Sequence, residues 1–317
     1  MDPSAPFSPS LDSDWPSSTV GKTPHREKTV PSLDNHIMGA LSHYRSLISE
    51  HFNCPVLAYT GPIHPVVLGT YVHAIETVVQ QRKDTQEAGR ICIVLATPGG
   101  VVEAVEKMVE VTRHHFSEVF FVVPTAAMSA GTILCMSGDK IYMDYTSSLG
   151  PIDPQVPLDN GQLVPALGYI DKVNELIEKS ARNCMTDAEL VMLQRLDLAT
   201  LRRYEQARDL SVNLLKQWLV KYKFKDWEVH STTEPGSTVT PDQKAARAEQ
   251  IAKDLSDNNR WHSHGRMIGI STLTDSLKLK IEDYTDDAAL RQNLRVYSEL
   301  LAEHAERQQS AFMLHYN

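Results

Sequence analysis

Between residues 91 and 153 the chain twice runs from an apolar, β-rich stretch through a turn of small residues into a helical pattern. The first run, Ile91 to Ala96, ends in Thr97-Pro98-Gly99-Gly100, and the second, Val119 to Val123, ends in Ala127-Met128-Ser129-Ala130-Gly131-Thr132. Successive units of this kind restrict the topology sharply. Strands that return in the same direction need helical crossovers, and these are right-handed, so the pattern predicts a mostly parallel sheet flanked by helices.

The two turns also suit one kind of chemistry. Acyl transfer requires main-chain N–H groups about 3 Å from a developing oxyanion, and a side chain obstructs that approach. Gly99 and Gly100 remove the obstruction and tolerate the positive φ of a sharp turn. Ser129 is expected to open the next helix, where free N–H groups and the positive dipole end favour an alkoxide-like oxygen. Ala130 N–H supplies a second donor. Taken singly, a serine at a helix start is an N-cap and a Pro-Gly-Gly is a turn; their joint order after two β-like runs is what points to a nucleophile and an oxyanion hole.

Three segments carry a family resemblance. Thr97-Pro98-Gly99-Gly100, Ala127 to Thr132, and Ser148-Leu149-Gly150-Pro151-Ile152-Asp153-Pro154-Gln155 together resemble the serine dehydrogenase proteinase family, a branch of the caseinolytic-protease and signal-peptide-peptidase-A superfamily. The likeness spans about residues 55 to 175, with a fainter echo from Trp261 to Tyr284. It implies a caseinolytic-protease/crotonase-like α/β fold, a serine peptidase acting on peptides or proteins, and assembly into rings or smaller cyclic homo-oligomers. Some members of the family are membrane-anchored. The resulting division is an extended or disordered leader at 1–33, a protease-like α/β core at 34–185, and at 186–317 a helical arm and C-terminal extension that completes the core.

The general base distinguishes the branches. The caseinolytic branch places a histidine roughly two dozen residues after the serine, where this chain has Asp153, and no histidine occurs between His115 and His230. The signal-peptide-peptidase branch uses a lysine some forty to fifty residues downstream, desolvated so that its amine is neutral. Lys172 and Lys179 stand at that distance, on a helix read from Pro165 to Arg182, about 10 Å apart along one face. Lys172, nearer the helix start and following Pro165-Ala166, is the preferred base; Glu175 and Glu178 offer both lysines an ordinary ion-paired role. Lys140 reads as a turn residue.

Supporting roles fall to Asp153, Thr132 and Ser148. Trp261-His262-Ser263-His264-Gly265-Arg266 is a second place for chemistry: members of the resembled family carry a histidine near this point, which makes His264 a cleft-lining candidate, while a loop-bound structural histidine is the plain alternative. Spacing signals no third ligand, so neither metal nor cofactor is expected. His114 and His115 close a helix, where cations suit the dipole.

Composition limits the remaining classes. With 317 residues, 42% of them hydrophobic, the chain can bury a large core. Its formal net charge of −9, without a basic block, argues against a nucleic-acid surface. No apolar run reaches the length of a membrane span. Cys54, Cys92, Cys135 and Cys184 lack metal-type spacing and read as reduced, which points to the cytoplasm. Thr186 to Lys225 reads as one long helix or two, packed by default on its own core. Two rivals stand beside the peptidase: a crotonase-like acyl-CoA hydratase or hydrolase, which shares the oxyanion hole but not the need for Ser129, and a catalytically silent scaffold that uses the arm as an interaction surface. Neither an ATPase nor any other protein partner is specified by the sequence.

Overall fold

The computed structural model describes residues 33–81, 89–157, 163–230 and 235–316. The expected leader at 1–33 lies outside these, except for Leu33. In chain order the strands are β1 (Val56–Thr60), β2 (Arg90–Ala96), β3 (Glu118–Val123), β4 (Ala126–Ala127), β5 (Lys140–Met143), β6 (Ser148–Leu149), β7 (Gln155–Pro157), β8 (Leu163–Pro165), β9 (Glu282–Asp283) and β10 (Met313–His315). The helices are α1 (Leu33–Phe52), α2 (Leu68–Gln81), α3 (Val102–His115), α4 (Ala130–Cys135), α5 (Ala166–Ala181), α6 (Asp187–Gln194), α7 (Leu198–Trp218), α8 (Pro241–Ser256), α9 (Asn258–Trp261) and α10 (Ala288–Arg307).

The main sheet runs β10-β1-β2-β3-β5-β9. All its neighbouring pairs are parallel except β10 on β1. Its central strands β1, β2 and β3 are apolar nearly throughout because both faces are covered, as a parallel sheet requires. The two-residue period assigns the layers. Leu57, Tyr59, Ile91, Ile93, Leu95, Val119, Phe121 and Val123 join one cluster with α2, α3, α4, α7 and α8. The alternate residues Val56, Ala58, Cys92, Val94, Phe120 and Val122 join a second cluster with α1 and α10. Each large aliphatic side chain removed from water here contributes roughly 1.5–3 kcal/mol.

The helical arm has a defined break. A capping box between Thr186 and Glu189 starts α6, and Asp197 caps α7 by accepting from Ala199 N–H. Leu214, Leu215, Trp218 and Leu219 then pack into the main core, so the arm folds back on its own chain. By contrast α6 buries nothing, and Leu190, Val191 and Met192 stay exposed. The chain's end completes the second layer. Asp287 caps α10, whose Leu290, Leu294, Tyr297 and Leu301 cover the sheet, and β10 adds the edge strand. Among the described residues no helix is long and apolar enough to cross a membrane.

Candidate active site

Short strands beyond the C-terminal end of the main sheet carry the motif turns toward one another. Thr97 bridges Ala127 in parallel: Thr97 N–H donates to Ala126 O and Met128 N–H to Thr97 O, both at 2.9 Å. β4 pairs in turn with β6, Ala127 opposite Leu149. Leu149 then exchanges two hydrogen bonds with Ile268, of 3.0 and 2.8 Å. The succession 97, 127, 149, 268 thus brings the Thr97-Pro98-Gly99-Gly100 turn, the Ser129 turn, the Leu149-to-Gln155 segment and the His264 loop into one neighbourhood.

Ser129 does not behave as an N-cap. It precedes α4 at φ 53° and ψ −117°, and its side chain makes no capping hydrogen bond. A non-glycine residue in that region stores on the order of 1–3 kcal/mol of strain, which persists only when the surroundings over-determine it. They do so here. Gly131 N–H donates to Met128 O at 2.8 Å, and a Cβ on Gly131 would lie 2.4 Å from Thr97 Cγ2. Thr132, fully buried, keeps its hydroxyl 2.9 Å from the carbonyl oxygens of Ala127 and Gly150 and accepts from Gly150 N–H at the same distance. The result is a half-buried serine on a sharp strand-to-helix turn, the geometry of a nucleophile elbow.

The glycine pair divides its work. Gly99 sits at φ 103°, and a Cβ there would fall 2.8 Å from Ser129 Cβ and 3.3 Å from Ala130 N. Its own N–H is taken, donating to Thr97 Oγ1 at 3.0 Å. Gly100 bridges Ile63 in parallel, with Ile63 N–H on Gly99 O and Val101 N–H on Ile63 O. That register turns Gly100's N–H away from Ile63. Ala130 N–H, at the first position of α4, has no acceptor within its helix. Gly100 and Ala130 thus differ from Gly99, whose N–H is already spent on Thr97.

Asp153 is 1% exposed, and both of its oxygens are engaged: Oδ1 by His264 Nδ1 at 2.9 Å, Oδ2 by Gln155 Nε2 at 2.8 Å. His264 is partly exposed and sits on a braced loop. Asp257 caps α9, Trp261 Nε1 donates to Asp254 O at 2.7 Å, and His262 turns the chain at φ 60°. An ionised carboxylate only accepts, so Nδ1 carries a proton, and in the neutral ring Nε2 would then present a lone pair.

The lysines stand differently from the expectation of a desolvated, neutral amine. Lys172 lies on α5 with its side chain 54% exposed, and it donates to Glu175 Oε2 at 2.9 Å. Lys179 is paired with Glu189 at 2.7 Å and Glu175 at 3.0 Å, which push its pKa up rather than down. The i+3 and i+4 spacing to Glu175 is the reason. Ser148 is buried in β6 with its N–H on Thr125 O, and the Thr132 hydroxyl bonds within the turn. His114 and His115 end α3 and touch edge to face. Lys140 opens β5 rather than ending the preceding turn, and its amine lies over the Phe120 ring.

A mostly parallel α/β sheet with a strained serine against a glycine turn defines the class: a caseinolytic-protease-like serine hydrolase scaffold. A family model described as the ClpP-like SDH-type serine proteinase matches residues 63–242, and the chain belongs to that family. Family membership supports a serine peptidase. Two uncharacterized proteins of Methanocaldococcus jannaschii are similar to it. One is 32% identical over 136 residues, 43% of this chain and 43% of the relative; the other is 31% identical over 81 residues, 26% and 28%. The chain thus spans less than half the length of these curated relatives. Among solved structures, a membrane-bound stomatin-specific protease in complex with a substrate peptide is similar at 25% identity, covering 41% of this chain and 61% of that one, with a TM-score of 0.31. The ClpP protease catalytic domain from Plasmodium falciparum is similar at 10% identity, covering 56% and 90%, with a TM-score of 0.29.

Proposed function

We propose that the protein is a serine peptidase that cleaves peptide bonds through an acyl-enzyme on Ser129. The observation that carries this reading is the strained, uncapped Ser129 in contact with Gly99. Ser129 Oγ attacks the scissile carbonyl, and the N–H groups of Gly100 and Ala130 receive the oxyanion. The proton leaving Ser129 goes to a base, which returns it to the departing amine; a water then repeats the cycle to release the acyl group.

For that base the geometry favours His264. Its Nδ1–H is held by a buried carboxylate, which would fix the tautomer with Nε2 as the proton acceptor and stabilise the imidazolium that forms. Asp153 then orients rather than transfers. Lys172 is the second reading, supported by its spacing from Ser129 and by the resemblance; it requires the amine to leave Glu175 and lose its charge. Peptide or protein substrates, self-assembly of copies and a cytoplasmic setting complete the proposal.

A fluorophosphonate probe tests it. Labelling that disappears in Ser129→Ala while the fold persists is the expected result. A Ser129 that never labels would return the protein to the acyl-CoA or scaffold readings. His264→Ala and Lys172→Ala, assayed side by side on fluorescein-labelled casein, separate the two bases.

A further inference from the structure

Gln155 stands at the first residue of β7 and is spent on Asp153. Its Nε2 donates to Asp153 Oδ2 at 2.8 Å, while the other oxygen, Oδ1, meets His264 Nδ1 at 2.9 Å. The orientation of the carboxamide follows from chemistry, since a carboxylate has no hydrogen to give and the NH₂ end must face it. A carboxylate rotates freely about its last bond unless something holds its second oxygen. Here the carboxyl lies almost wholly out of bulk solvent, and it is the Gln155 amide that meets Oδ2. The backbone beneath is fixed independently: Ile152 N–H donates to Leu255 O and Ala166 N–H to Pro154 O, each at 2.9 Å. The loop therefore does not need the side-chain bond in order to keep its course.

We infer that Gln155 is a positioning residue for the peptidase reaction, acting through Asp153: it pins the carboxylate plane so that Oδ1 keeps His264 in the Nδ1–H tautomer. This rests on the reading of His264 as base.

The full chain, assayed on fluorescein-labelled casein across pH 5 to 9, tests it with two substitutions. Gln155→Leu removes the donor and is expected to lower kcat roughly ten- to a hundredfold, the range for losing one charge-assisted hydrogen bond, with KM unchanged. Gln155→Glu sets two carboxyls in contact, which must share a proton. Once protonated, its O–H replaces the lost N–H, so the rate of this variant recovers toward wild type below about pH 6 and falls as pH rises. A purely structural glutamine gives no such pH-gated rescue. A Gln155→Leu protein with wild-type kcat and pH profile, alongside an inactive His264→Ala, overturns the inference and leaves the base reading intact. A His264→Ala protein with wild-type turnover overturns the base reading and the inference with it. Should Gln155→Leu fail to fold, the Gln155→Glu profile decides alone, with circular dichroism at each pH: a curve parallel to wild type refutes the role.

Discussion

Gly99 lies so close against Ser129 that a methyl group added to it would stand 2.8 Å from the serine Cβ and 2.7 Å from Met128 O. At φ 103° any side chain there is also strained. Gly99→Ala is therefore expected to displace the Ser129 turn and cut fluorophosphonate labelling on the order of 10²-fold, as misplacement by about 1 Å does in positioned sites. Circular dichroism should remain near wild type. A Gly99→Ala protein that labels at the wild-type rate would show that the turn does not set the serine's position.

The two candidate bases predict opposite pairs of results. His264→Ala is expected to lower kcat by about 10²–10⁴-fold, the usual contribution of a general base. Lys172→Ala removes an exposed ion pair with Glu175 and should change kcat by no more than about twofold, because such pairs contribute little. Steady-state hydrolysis of casein reads both. The reverse outcome would assign the base to Lys172.

Thr132→Val keeps the volume of a fully buried side chain and removes its hydroxyl. Gly150 N–H and the carbonyls of Ala127 and Gly150 then lose a shared partner. A cost of about 1–3 kcal/mol for each group left unsatisfied is expected in urea unfolding. Because the same hydroxyl ties the Ser129 turn to the Gly150 segment, labelling should slow as well. An unchanged unfolding midpoint would mean that water or a relaxed backbone replaces the bonds.

Acid should loosen the edge of the sheet at β10. Burial, with Arg45 and His304 adding repulsion, lowers the pKa of His315 from 6.5 to about 4. Tyr297 and His315 Nδ1 share a 2.8 Å hydrogen bond that joins α10 to this strand. Since the folded state takes up a proton less readily than the unfolded chain, this contribution to stability is complete above pH 6.5 and is lost as pH falls through about 4. Thermal melts should show a lower Tm at pH 4.5 than at pH 7, with a smaller difference in His315→Asn. Equal differences in the two proteins would remove His315 from the account.

Much of this arrangement was legible in the residues. The β-like runs Ile91 to Ala96 and Val119 to Val123 became β2 and β3 with at most a one-residue shift at the start, because both faces of a parallel sheet select such runs. The glycine pair and Ser129 were legible as turns, and the structure brings them together. What spacing did not reveal was the division between the two glycines, which depends on the Thr97 hydroxyl capturing Gly99 N–H. Nor did it join His264 to Asp153, since that contact spans more than a hundred residues and is set by the Leu149 to Ile268 pairing. For Lys172 the sequence did hold the signal: Glu175 three residues on, which gives the amine a charged partner in place of a dry pocket. No helix was read over Ala288–Arg307, and only the sheet's second face explains why Leu290, Leu294, Tyr297 and Leu301 are buried there.

The pairing of Leu149 with Ile268 has a consequence for the order in which this polypeptide is made. A nascent chain that has emerged only through α5 already holds every residue of the serine turn and both amides beside it, with Gln155 in place for Asp153, yet the loop whose His264 meets Asp153 Oδ1 is still to be translated. With His264 as the base, such a ribosome-bound chain carries a reactive hydroxyl without its proton acceptor, and its neighbours are safe from cleavage until the late segment has folded back across Leu149.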